Sequence, residues 1–129
     1  MTYTEAAELF DRRRAAWLRE DVEAYLAMWA EDMTFESPMH QPALRGRAAF
    51  EQLVRQSMAI MQPVAFDVLH LAVRGKTLLA EWKIAAVHRE SGQGVEWEGM
   101  SVAEIDGGRI TRWREYWNPA DLTPRARGD

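Results

Sequence analysis

Apolar positions recur at helical spacing through the first half of the chain and at alternate positions through the second. Ala6, Phe10, Arg13 and Trp17 stack on one face of a segment that opens with Thr2-x-x-Glu5. That spacing is a capping box, in which each side chain accepts a backbone N–H that the first helical turn leaves free. Asp21 can cap a second helix, whose Val22, Tyr25, Leu26 and Trp29 fall at i, i+3, i+4 and i+7. Met33–Ser37 then reads as a short strand ended by Pro38. After a loop through Gly46, a third helix shows Phe50, Leu53, Val54, Ser57, Met58 and Met61, and stops at Pro63. From Val64 onward the period is two, with strands predicted near 64–73, 77–88, 95–105 and 110–118. The segments between them, "RGK", "RESGQG" and "DGG", have the chemistry of hairpin turns. Helices followed by hairpins specify an α+β fold in which three N-terminal helices pack on one face of a curved antiparallel sheet. Helices laid across the concave side of such a sheet leave a cone.

The chain reads as one domain, residues 1–122, with "TPRARGD" (123–129) as a flexible C-terminal tail. Its 129 residues, 47% of them hydrophobic, are enough to bury about two-thirds of the unfolded surface. With no cysteine, disulfides, thiolate nucleophiles and Cys-ligated metals all drop out, which fits a reducing compartment. No apolar run approaches the ~18 residues of a membrane span, and the N-terminus lacks a secretory core, so a cytoplasmic protein is expected. A net charge of −4 argues against a nucleic-acid partner, and Arg12-Arg13-Arg14 is flanked by acids. Six tryptophans and seven methionines are the unusual feature, suited to lining a pocket or an interface as well as a core.

Two stretches carry a resemblance: "YLAMWAEDMTFESPMHQPALRGRAAFEQL" and "GMSVAEIDGGRITRWREYWNPADL". Together with the order of elements, they resemble the SnoaL-like polyketide cyclase family. That family lies within the nuclear transport factor 2-like superfamily, whose members include ketosteroid isomerase and limonene epoxide hydrolase. The likeness runs from about residue 5 to residue 122 and implies the cystatin-like cone, a small apolar ligand and a homodimer. It does not fix the chemistry, because this fold hosts many reactions. The isomerases' aspartate base matches Ser37, their oxyanion-stabilising tyrosine falls near Arg13, and their protonated aspartate falls near Met100. The epoxide hydrolases' Arg and Asp match Trp82 and Ile84. Their water-holding tyrosine and asparagine match Phe35 and Ser37, and their third acid falls at Asn118. An amide can orient a water but cannot take its proton near neutral pH.

In the register the resemblance implies, the pocket face carries Trp82 and Ile84, then Glu98, Met100 and Val102, then Tyr116 and Asn118. Glu98 is the carboxylate this register places in the pocket, where desolvation would raise its pKa toward that of a general acid or base. Arg13, Tyr116 and Asn118 would polarise or position a carbonyl. The alternative puts Glu98 in water at a strand end, with Arg13 snorkelling. His40, in the loop "SPMHQPALRG" expected to cross the cone's mouth, is the other catalytic candidate, with an intrinsic pKa suited to acid–base work. Arg13, Trp17, Trp29, Phe35, Ser37, Trp82 and Met100 are the expected ligand-binding residues. No metal-ligand spacing and no Gly-rich phosphate loop is present, so neither a metal nor another cofactor is expected.

The same register puts Trp97, Gly99, Ser101, Ala103, Trp113 and Trp117 on the outer face, where a large aromatic patch predicts a homodimer. A slip of one residue would instead bring those tryptophans into the cone. Three readings of function follow: a cofactor-free cyclase, isomerase or hydrolase acting on a polyketide-, steroid- or terpenoid-like compound; a non-catalytic ligand-binding member; or an interaction domain whose cone is filled.

Overall fold

A computed structural model describes residues 1–122, and the expected tail lies outside them. Helix α1 (Tyr3–Leu18) starts at the Thr2–Glu5 capping box and α2 (Val22–Leu26) at Asp21, as their caps specify. Trp29 is not the last residue of a helical stripe; it opens strand β1 (Trp29–Ser37). The segment expected to be a loop after Pro38 is strand β2 (His40–Arg45), which turns back tightly and pairs Ser37 with His40. Helix α3 (Arg47–Ile60) follows, and then β3 (Met61–Arg74), β4 (Thr77–His88), β5 (Gly94–Asp106) and β6 (Arg109–Trp117). A single 3-10 turn (Pro119–Leu122) closes the described chain. No helix among the described residues is long and apolar enough to cross a membrane.

All six strands form one sheet in the order β2-β1-β6-β5-β4-β3. It is mixed rather than wholly antiparallel, because β1 runs parallel to β6. Register shifts between Pro63 and Ala65 and between Val68 and His70 are bulges that add bend to the β3–β4 hairpin. The three helices lie against the concave side, with α1 held by an Arg14 Nε donor to the Phe66 carbonyl at 2.8 Å. Phe10, Trp29, Phe50, Phe66, Trp82 and Trp113 are almost fully buried between the layers.

Cross-strand partners share a face of the sheet, and these pairs correct the expected register. Trp82 lies opposite Gly99, which lies opposite Trp117; Ala80, Ser101 and Glu115 form the next row, and Leu78, Ala103 and Trp113 the one after. Trp82 and Ile84 face inward as expected, but β5 and β6 are each turned by one residue. The tryptophans are therefore inside, while Glu98, Met100 and Tyr116 are outside. A steric contact locks this arrangement. A Cβ at Gly99 would sit 2.8 Å from Cη2 of Trp82 and 2.7 Å from the Tyr116 carbonyl oxygen, so only glycine lets the indole lie there. The aromatic outer patch from which a homodimer is expected is consequently absent. That face carries charged pairs, among them His70–Glu81 at 2.7 Å and Lys83–Glu96 at 3.7 Å, and the exposed Leu79, Met100 and Tyr116.

Candidate functional site

Between the helices and the concave face lies a cavity of about 440 Å³. Helix α1 contributes Arg13 and Trp17, α2 contributes Tyr25, and the β1–β2 hairpin contributes Phe35, Ser37, Met39 and His40. Ile84 of β4, Trp97 of β5, and Glu115 and Trp117 of β6 line the sheet side, with α3 adding mostly apolar groups such as Phe50 and Leu53. The walls are apolar and aromatic with a few convergent polar groups, the usual composition of a small-molecule site.

Arg13 is buried at 8% exposure because its stripe on α1 faces the sheet. Its guanidinium carbon lies 4.4 Å from the Trp113 ring centre, 5.2 Å from that of Phe66 and 5.4 Å from that of Tyr25. These ring faces stabilise the cation electrostatically, by roughly 0.5–2 kcal/mol per contact. Its Nε is buried with no hydrogen-bond partner among the described residues.

Glu115 is the carboxylate of the site. Trp113 Nε1 donates to Oε1 and Trp117 Nε1 to Oε2, each at 3.2 Å, so two side chains of the same strand hold the group. Glu115 is half-buried, and the surface it keeps opens into the cavity it lines. Burial raises its pKa above the ordinary carboxylate value, against the opposing charge of Arg13 and the two indole donors. Burial likewise raises the Tyr25 hydroxyl, with Arg13 opposing, so Tyr25 is a neutral donor at physiological pH.

At the hairpin, Ser37 Oγ and His40 Nδ1 lie 2.8 Å apart, and the Met39 N–H donates to the same Oγ at 3.1 Å. Ser37 is 2% exposed, and His40 Nδ1 is the side-chain acceptor its hydroxyl finds among the described residues. The serine therefore donates to Nδ1, leaving the imidazole proton on Nε2. Burial also lowers the His40 pKa, so the ring is a neutral N–H donor at the cavity wall. Among the described residues, no three His, Asp or Glu side chains come together as metal ligands.

Of the residues expected at the site, Arg13, Trp17, Phe35, Ser37 and His40 line the cavity. Trp29 and Trp82 do not. Both are core residues, Trp29 packed against Phe50 at 4.4 Å between ring centres and Trp82 donating its indole N–H to Ser101 Oγ at 2.8 Å. Glu98, Met100 and Tyr116 lie on the outer face, where Glu98 pairs across strands with Lys83 and Met100 with Tyr116. Asn118 is a turn residue, its Oδ1 accepting the Ala120 N–H at 3.0 Å. Glu115 and Tyr25 were missed, and Trp97 and Trp117 came into the cone only in the alternative register. The alternation of Val95, Trp97, Ala103 and Ile105 against Glu96, Glu98 and Glu104 could have found the sheet-borne members of that group.

Comparison with known proteins fits this architecture. The chain is 25% identical over 123 residues to the uncharacterized protein YesE of Bacillus subtilis (strain 168), covering 91% of this chain and 84% of that one. The crystal structure of a candidate isomerase from Bacillus subtilis superposes with a TM-score of 0.84 at 25% identity, covering 95% of this chain and 93% of that one. An M. tuberculosis LEH-like epoxide hydrolase superposes at 0.78 with 24% identity, over 92% and 86% of the two chains, and shares the fold. The sequence signature of the SnoaL-like domain matches residues 10–113, most of the helical layer and of the sheet around the cavity; the chain belongs to the SnoaL-like domain family.

Proposed function

We propose that this protein takes a flat apolar carbonyl compound into the cavity and moves a proton on it with its own side chains, in the manner of an isomerase or cyclase. One observation carries the reading: Glu115, held by two indole N–H donors, opens into an aromatic cavity beside the buried Arg13. A carboxylate whose pKa is raised by burial is a stronger base once ionised and works closer to neutral pH. In the step proposed, the bond between hydrogen and the carbon next to the carbonyl breaks and the proton goes to Glu115. The electron pair passes into the carbonyl as an enolate. Arg13 stabilises the oxyanion by charge, while Tyr25 and the His40 Nε2–H are neutral donors that orient the carbonyl. Return of the proton from Glu115 to the same or a conjugated carbon regenerates the carboxylate.

Exchange of the α-protons of 2-tetralone in D₂O, followed by NMR, tests this without knowledge of the natural substrate. The wild type is expected to accelerate exchange over buffer, and Glu115→Gln to lose about 100-fold or more of that acceleration. Equal rates for the two proteins would rule Glu115 out as the base. A second reading, a binding protein without catalysis, draws support from Asn118, which stands at the end of the last strand and serves only the turn. Saturable binding of 2-tetralone with exchange no faster than in buffer would select it.

A further inference from the structure

Among the described residues, the groups that titrate around the cavity are few: Arg13 from α1, Tyr25 from α2, His40 from β2 and Glu115 from β6, the remaining lining elements giving neutral side chains. Tyr25 and His40 are neutral, so the electrostatics reduce to one fixed cation and one carboxylate that can carry or lose a proton. Arg13 is more than nine-tenths buried, its Nε has no hydrogen-bond partner, and no carboxylate oxygen lies within 4.0 Å of it among the described residues. The rings of Trp113, Phe66 and Tyr25, with the neighbouring Tyr25 hydroxyl, balance part of its charge, but ring faces and one neutral oxygen leave most of the five N–H donors of a guanidinium without a strong acceptor. Glu115, whose carboxyl feels its charge, turns its two oxygens to indole N–H groups instead. A buried guanidinium short of acceptors, on the wall of an aromatic cavity, has the geometry of an anion receptor.

We infer that the cavity binds its ligand as an anion: a flat aromatic molecule whose charged oxygen rests on the Arg13 guanidinium while its skeleton packs against the indoles of Trp17, Trp97 and Trp117. This rests on the cavity being the ligand site, as proposed above, and narrows the ligand from any flat carbonyl compound to an acidic one. The fixed charge of Arg13 disfavours a cationic ligand on that wall.

Three probes of nearly one shape separate the outcomes in isothermal titration calorimetry at pH 7: 2-naphthoate, 2-naphthamide and 2-naphthylmethylammonium. The expected result is a Kd for the acid at least tenfold below that of the amide, with no measurable binding of the amine. Arg13→Met, which keeps an apolar stem of similar length, should bind the amide and lose the preference for the acid. Amide binding as tight as or tighter than acid binding by the wild type overturns the inference while leaving the cavity a ligand site. An acid preference that survives in Arg13→Met overturns it as well. If none of the three binds at millimolar concentration, the ligand-site reading itself falls and takes the inference with it. Should Arg13→Met not fold, the three-probe comparison on the wild type still decides.

Discussion

Gly99 shows how much of the site's geometry one side chain, or its absence, can set. Its missing Cβ makes room for Trp82, whose indole lies across β5 and is anchored on Ser101. Gly99→Ala would place a methyl group 2.7 Å from a backbone oxygen and 2.9 Å from Cβ of Trp117, and neither of those atoms can swing aside. We expect a loss of about 3 kcal/mol in urea unfolding, at the upper end of overpacking costs. We also expect weaker naphthoate binding, because Trp117 is both a wall of the cavity and a donor to Glu115. Wild-type stability in Gly99→Ala would show that the sheet can relax there. At this scale the sequence was partly legible. Arg13 sits on an apolar stripe where no charged residue belongs without a purpose, and the hairpin residues Phe35, Ser37 and His40 were visible as candidates. Glu115 was not, since its exposure depends on which way the last strand faces, and that orientation came from a resemblance instead of the strand's own pattern.

The elements differ in how local their determinants are. Helix α1 was legible because its capping box and its 3.6-residue stripe lie within it. The bounds of strand β5 were legible from its period-two pattern between two turns, but its inward face was not, although its small and apolar odd positions alternate with glutamates. The parallel pairing of β1 with β6 was not, since its partners, such as Phe35 and Trp113, lie far apart in sequence. Strand β2 was obscured by Pro42, a residue confined to sheet edges, which is where β2 lies. Beyond the ladder, β4 and β5 are joined by the outer Lys83–Glu96 pair and, in the interior, by the buried Trp82–Ser101 hydrogen bond. Ser101→Ala leaves a buried indole N–H without an acceptor and should cost about 2 kcal/mol, whereas adding Trp82→Phe removes the orphaned donor along with its partner. The double variant is thus expected to lose less than the sum of the two single variants in a double-mutant cycle, and strict additivity would mean that the bond contributes nothing.

Across the whole molecule, the two titrating groups of the cavity pull stability in opposite directions with pH. Glu115 has its pKa raised by burial, so the folded state binds more protons than the unfolded state between the ordinary value of 4.5 and the raised one. Its contribution is favourable below 4.5 and is lost as pH rises through the folded pKa. His40 has its pKa lowered by burial, so between its lowered value and 6.5 the unfolded state binds more protons, and stability rises with pH until that window is passed. Glu5 and Asp106, both lowered by hydrogen bonds to their neighbours, lose their contributions only below the ordinary carboxylate values and stay out of this range. Tyr25 titrates above 10. The wild type should therefore show two limbs of opposite slope, one falling as pH rises above 4.5 and one rising as pH approaches 6.5. Glu115→Gln should leave a stability that climbs with pH up to about 6.5, and His40→Gln one that falls with pH, each with a limiting slope of about 1.4 kcal/mol per pH unit. Urea unfolding of the three proteins across this range would resolve both limbs. Parallel profiles for all three would mean that neither group is held away from water strongly enough to serve as the proton carrier of the cavity.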